Sequence, residues 1–382
     1  MPVRRLPGSP VCRLQIISIA GSKPIMNSDL VITEEAPGTW SGLDLESVRT
    51  LRLATATTLS VAISYGFPWP LSYITPVFVW AFLKTPTSGL TFQGGIHTIF
   101  AMIFGCAFGF VLSLTLLNYP VVFSLVMALV LFFIYYANAG GASPVMVMFT
   151  TMGVTVIPMV ALSSKETALI VVLALILNCT VAVVVSWFTQ SLIREPHDLN
   201  TVQPAGDPKK EVPQRTKLIN AALSTIAVTP VVVLFFAFNV SGQIIVMVFI
   251  AILAQQASSD IGRKMTKAMI VGNTLGGVAA VVFYYLLVAA PSFGFLLGLT
   301  LLSSLFFARI NFAGRKASPL FAMGFSTLLI LIGGSTAPYA DEAGVDFLVR
   351  VGQIMTAGFY ICVAFRMLES IQAWRGGNHE QR

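Results

Sequence analysis

The sequence predicts an all-α protein that crosses a membrane about twelve times, in two parallel six-helix repeats. Three observations lead there. Hydrophobic residues make up 56% of the 382-residue chain and charged residues only 10%, where a soluble domain carries about a quarter charged. The charges sit in islands, separated by apolar stretches long enough to span a bilayer. No stretch alternates polar and apolar residues as a half-buried strand does. The crossing segments must then be helices, which close their backbone hydrogen bonds internally.

Residues 1–49 read as a cytoplasmic tail. Its start, "MPVRRLPGSPVCRLQIISIAGSKPI", has basic residues before "LQIISIA", but that run is too short and interrupted for a signal-peptide core. Met26 is an alternative first residue. Six spans follow at about 50–66, 70–84, 93–117, 120–136, 144–162 and 167–192, making a first repeat over 50–193. The interval 194–216, "REPHDLNTVQPAGDPKKEVPQRT", has charge and Pro and little to bury, and reads as a linker. The second repeat, 217–370, holds spans at about 217–237, 243–256, 265–289, 292–308, 319–334 and 347–368, before a tail at 371–382.

The net charge of +7 does not point to nucleic acid. With the N-terminus inside, every Lys and Arg except Lys165 and Arg350 lies on inner segments or span ends, as the positive-inside rule requires. Both termini are then cytoplasmic. Cys12, Cys106, Cys179 and Cys362 have no metal spacing, and His97, His197 and His379 are scattered. There is no Walker loop and no enzymatic motif, so neither a cofactor, a metal nor an enzyme activity is expected.

The halves resemble each other in two places. "GCAFG" in the third span and "GNTLG" in the ninth put Gly105 and Gly109 in register with Gly272 and Gly276. Such small-residue faces let helices approach closely. "GASPVMVMFTTMGV" and "KASPLFAMGFSTLL" each open a span with Ser-Pro, at Ser143-Pro144 and Ser318-Pro319. Ser there is expected to cap the helix start, with Pro at the first position. Six spans per copy is an even number, so the copies face the same way, related by an axis along the membrane normal. Transporters with such symmetry handle substrate between the halves.

Several stretches are similar to the fusaric-acid-resistance-like (FUSC) family of bacterial inner-membrane proteins. They are "RLATATTLSVA" (52–62), "GFPWPLSY" (66–73), "VWAFLKTPTSG" (79–89) and "GCAFG", then "KLINAALSTIA" (217–227), "IIVMVFIAILAQQ" (244–256) and "GNTLG". The resemblance covers about residues 50–370 in both halves. It implies an inner-membrane exporter of aromatic acids and other small organic compounds, working with a periplasmic membrane-fusion adaptor. Many relatives carry a large cytoplasmic domain, in whose place this chain has the short linker.

Ionisable and polar groups inside spans are costly and so become candidate sites. The register pairs Gln93 with Asp260 and His97 with Lys264. His97 can titrate near neutral pH. Lys84, Asp260, Arg263 and Lys264 form a possible basic vestibule for an organic anion, beside Gln255 and Gln256. Asn178, Asn220 and Asn273 either line a path or bond a neighbouring helix. Ser163 and Glu166 have capping-box spacing, and Asp346 and Arg350 pair along one face. Together these features lead us to expect a proton-driven secondary exporter, with an organic-anion channel and a non-transporting scaffold as alternatives. The lipid bilayer, a small anionic solute, the adaptor and a second copy of the chain are the partners considered.

Overall fold

A computed structural model of the chain describes residues 44–85, 89–142, 144–194, 214–237, 262–314, 317–336 and 363. Among them the chain is helical, with no strand. The first half holds α1 (Leu45–Gly66), α2 (Ile74–Leu83), α3 (Phe92–Leu116), α4 (Pro120–Ala139), α5 (Pro144–Ser163) and α6 (Lys165–Leu192). The second holds α7 (Gln214–Ala237), α8 (Gly262–Ala289), α9 (Phe293–Phe312) and α10 (Ser318–Thr336). Seven of these, α3 to α6 and α8 to α10, contain segments long and apolar enough to cross a membrane. The protein is therefore a multi-pass membrane protein, all-helical among the described residues. The expected spans at 243–256 and 347–368 lie outside the described residues, Val363 apart.

The helix starts follow local chemistry. Thr91 Oγ1 accepts from Gly94 N–H at 3.1 Å to cap α3, and Ser292 Oγ accepts from Phe295 N–H at 3.3 Å to cap α9. The cap of α6 is Ser164, one residue beyond the expected Ser163. Its Oγ accepts from Thr167 N–H at 3.2 Å and donates to Glu166 Oε2 at 2.6 Å. Ser318 also departs from expectation. It is the first residue of α10, and its hydroxyl donates to Ile310 O at 2.9 Å, tying the start of α10 to the end of α9.

Two first-half helices differ from ordinary spans. α1 is too polar to rank among the seven, and it buries Thr50, Arg52, Thr57, Ser60 and Ser64. It packs against α2, α6 and α9. Thr57 and Ser60 donate to Leu53 O and Thr57 O, so these two hydroxyls are satisfied within the helix, whereas the buried Ser64 hydroxyl has no partner among the described residues. α2 has 10 residues, a rise of about 15 Å, roughly half the hydrocarbon core. The sequence span at 70–84 is thus corrected to a short helix after a non-helical turn. Pro68 and Pro70 break the helical run there, and Leu71 takes a left-handed φ of 59°.

Packing centres on two close crossings. α3 lies along α5, where Gly109 faces the backbone of Gly153, and Gly153 faces that of Gly105 and Cys106. α8 lies along α10, where Gly276 faces the backbone of Gly324, and Gly324 faces that of Gly272 and Gly276. Aligning the Ser-Pro starts would pair Gly153 with Leu328, whereas the crossing uses Gly324, about one helical turn earlier. The shared signature is Met152-Gly153 and Met323-Gly324. Between halves, α1 packs on α9 and α7 packs on α4.

Candidate functional site

The seam between the halves contains the polar and aromatic side chains that best define a site. On the α1–α9 face it is built from small residues: Ala54, Thr57, Ser60 and Ser64 are buried on α1, and Thr300, Ser304 and Ala308 on α9. Ser304 Oγ donates to Leu301 O at 3.0 Å in its own helix and reaches Ala54 O at 3.5 Å across the seam. Small side chains of this kind allow close approach while leaving gaps where the helices diverge.

One such gap is a cavity of about 20 Å³, room for roughly one water molecule. The first half contributes Val61, Tyr65, Tyr73 and Pro76 to its wall, and the second contributes Phe283, Thr300 and Phe325 among others. At its edge the two halves are joined by a hydrogen bond of 2.7 Å between Tyr65 Oη and Thr336 Oγ1. The Thr336 hydroxyl proton is directed to Ile332 O at 2.7 Å, so Tyr65 is the donor. A double-mutant cycle with Tyr65→Phe and Thr336→Val should give a coupling of about 1 kcal/mol, read from thermal unfolding of purified protein. Additive effects would mean that the bond contributes nothing.

Beyond the cavity along α2 lies an aromatic layer. Trp80 is fully buried, with its ring 4.4 Å from Phe325 of the second half, and Phe325 is 5.1 Å from Phe307. On the other flank Phe78 meets Phe149 edge-on at 5.1 Å. Trp80 Nε1–H donates to Ala322 O at 3.0 Å, and Asn311 Nδ2 donates to Lys84 O at 2.7 Å. Both bonds tie the C-terminal part of α2 to the second half. Its beginning is tied to the first half instead. The buried Asn178 of α6 accepts at Oδ1 from Trp69 Nε1 (3.1 Å) and Thr75 Oγ1 (2.5 Å), while its Nδ2 donates to Ala174 O at 2.7 Å.

The sequence-derived candidates are distributed as follows. Gly105, Gly109, Gly272 and Gly276 all lie at the two close crossings. Lys84 is partly buried and caps the end of α2. His97 is exposed on α3, on the outward stripe that also carries Phe100, Phe104 and Phe108, and it does not join the cavity wall. Arg263 and Lys264 belong to the first turn of α8, at the bundle end where α2 finishes. Gln255, Gln256 and Asp260 lie outside the described residues, as do Asp346 and Arg350. Asn178 and Asn273 both bond neighbouring elements, since Thr327 Oγ1 donates to Asn273 Oδ1 at 2.9 Å. Among the described residues no cluster of His, Cys, Asp or Glu is arranged to hold a metal.

Sequence reasoning passed over Tyr65, Tyr73, Trp80, Thr300 and Phe325, because it looked for charge. The available signal was the aromatic density of "GFPWPLSYITPVFVWAF" (66–82), next to the Pro-rich break. Among known proteins, a family described as "Protein of unknown function (DUF2955)" matches residues 49–188, which is α1 through most of α6. Neither a curated protein nor a solved structure matches the chain.

Proposed function

We propose that this protein is a secondary exporter of small organic compounds, aromatic or anionic, across the bacterial inner membrane. In this reading it has cytoplasmic termini, uses the proton gradient and works with a periplasmic adaptor. The observation that carries it is the reciprocity of the seam. Counting the expected span at 243–256, α1 and α7 open the two halves, and α4 and α9 are their fourth helices. The first helix of each half packs on the fourth helix of the other, as an isologous two-fold contact requires. Each half also has its own glycine crossing. This pattern supports two parallel six-helix copies related by an axis along the membrane normal. It leaves a seam of the kind through which transporters built from repeats pass their substrate. The cavity lies in that seam.

The resemblance to FUSC proteins adds the substrate class and the adaptor. In this picture Lys84, Arg263 and Lys264, at one end of the bundle, form with Asp260, Gln255 and Gln256 the vestibule that gathers an anion. His97 stays on the outward stripe of α3, outside the cavity wall.

Efflux of a panel of aromatic acids from cells with and without the gene tests the assignment. Cells expressing the protein should accumulate less of at least one acid, and Asp260→Asn should reverse that at unchanged protein level. Equal accumulation across the panel, at matched expression, removes the exporter role. Unitary currents in planar bilayers would reassign it as a channel.

A further inference from the structure

We infer that α2 is the gate of the seam and that Trp80 is its plug, closing the solute route between the cavity and the α1 N-terminal end of the bundle. This rests on the reading of the seam as that route. α2 is half the length of a span and nine of its ten residues are buried, so it lies wholly inside protein. It is fastened at opposite ends to different halves. Trp69 and Thr75 hold its start to Asn178 of the first half, whereas Trp80 and the Lys84 carbonyl hold its end to Ala322 and Asn311 of the second. A relative movement of the halves cannot leave both sets of bonds intact.

The position of Trp80 is what makes it the obstruction. Pro76 lines the cavity, and Trp80 follows about 6 Å further along the helix. Phe325 borders the cavity on one side and packs at a tilt against Trp80 on the other. A solute leaving the cavity toward the α1 N-terminal end therefore passes Phe325 in the wall and meets the indole, with Phe307 in ring contact with Phe325. The one polar tie of Trp80 is a hydrogen bond to a helix carbonyl that also accepts from Ser326 Oγ at 3.2 Å, and the rest of its hold is apolar packing. Such a closure can open without disrupting either glycine crossing.

The test uses Thr300→Cys as a reporter in the cavity wall, in full-length protein whose native cysteines have been replaced. A membrane-impermeant thiol reagent is applied from each face of sealed vesicles. With Trp80 present, labelling from the α1 N-terminal face should be slow. Trp80→Ala should raise that rate about tenfold or more, with no rise from the opposite face. Trp80→Phe, which keeps a ring and loses the N–H, should stay close to the parent. Should Trp80→Ala fail to reach the membrane, Trp80→Leu carries the test with the same expected direction. If the accumulated variant labels no faster than its parent from the α1 N-terminal face, the gate assignment is overturned. The readout needs no substrate, so failure of the gate and failure of the exporter assignment are told apart.

Discussion

Gly109→Ala and Gly276→Ala are each expected to remove most of the folded protein, while Gly298→Ala leaves it unchanged. A Cβ on Gly109 would stand 2.8 Å from the carbonyl carbon of Gly153 and closer still to its oxygen. On Gly276 it would meet the Gly324 carbonyl carbon and Thr327 Cβ, both at 2.8 Å. These neighbours are mainly backbone atoms of the partner helix and cannot swing aside as a long side chain does. The helices must separate, which forfeits contact along the whole crossing. We expect a loss of about 3 kcal/mol or more, at the upper end of what overpacking costs. Alanine is the better helix former by up to about 1 kcal/mol, so propensity acts in the opposite direction. Gly298 has nothing within 4 Å of its added Cβ and isolates that smaller term. Fluorescence-detected size exclusion after a temperature series measures all three variants. Wild-type melting of Gly109→Ala would mean that the crossing is not as close as described.

These crossings show how much of the fold a reader of the sequence can reach. "GCAFG" and "GNTLG" identify one side of each contact correctly, because a Gly-xxx-Gly face has few uses other than close approach. Their partners, Gly153 and Gly324, stand inside the two segments with Ser-Pro starts. They were hidden because the Ser-Pro starts suggest a register about one turn away from the packing register. The helix start and the packing face answer to different constraints, and the second decides the contact. Hydropathy marks α3 to α6 and α8 to α10 well, since each is long and apolar enough to cross a bilayer. It describes α1 and α2 poorly. α1 carries hydroxyls because protein surrounds it, and α2 is apolar yet too short to span. The candidate site was less legible for a related reason. Charge is easy to see in an apolar sequence, but the described cavity wall sets a few Tyr, Thr and Phe among Val, Leu and Ile, residues that are also ordinary filler.

Asn178→Leu should destabilise the first half by about 2–4 kcal/mol, more than either Thr75→Val or Trp69→Phe alone. Leucine keeps the γ-branching of asparagine and is larger, so no cavity opens, and the loss reflects stranded donors together with any overpacking. The substitution strands two donors at once, the buried hydroxyl of Thr75 and the half-buried indole N–H of Trp69, both of which end on Oδ1. Stranding a buried donor costs its full desolvation, whereas removing both partners of a bond can be nearly neutral. The combination of Asn178→Leu, Thr75→Val and Trp69→Phe should therefore recover much of the stability lost by Asn178→Leu alone. Thermal unfolding in detergent gives the comparison, and a triple variant that falls further than the single one would show that Asn178 acts through packing. The same set separates anchoring from gating. Asn178 holds the start of α2 to the first half, so the recovered triple variant should fold while its α2 is tethered mainly through Trp80 and Lys84 to the second half. Labelling of Thr300→Cys in that background should shift relative to the parent even though Trp80 is untouched. The plug is set by where α2 is held at both ends and not by the indole alone.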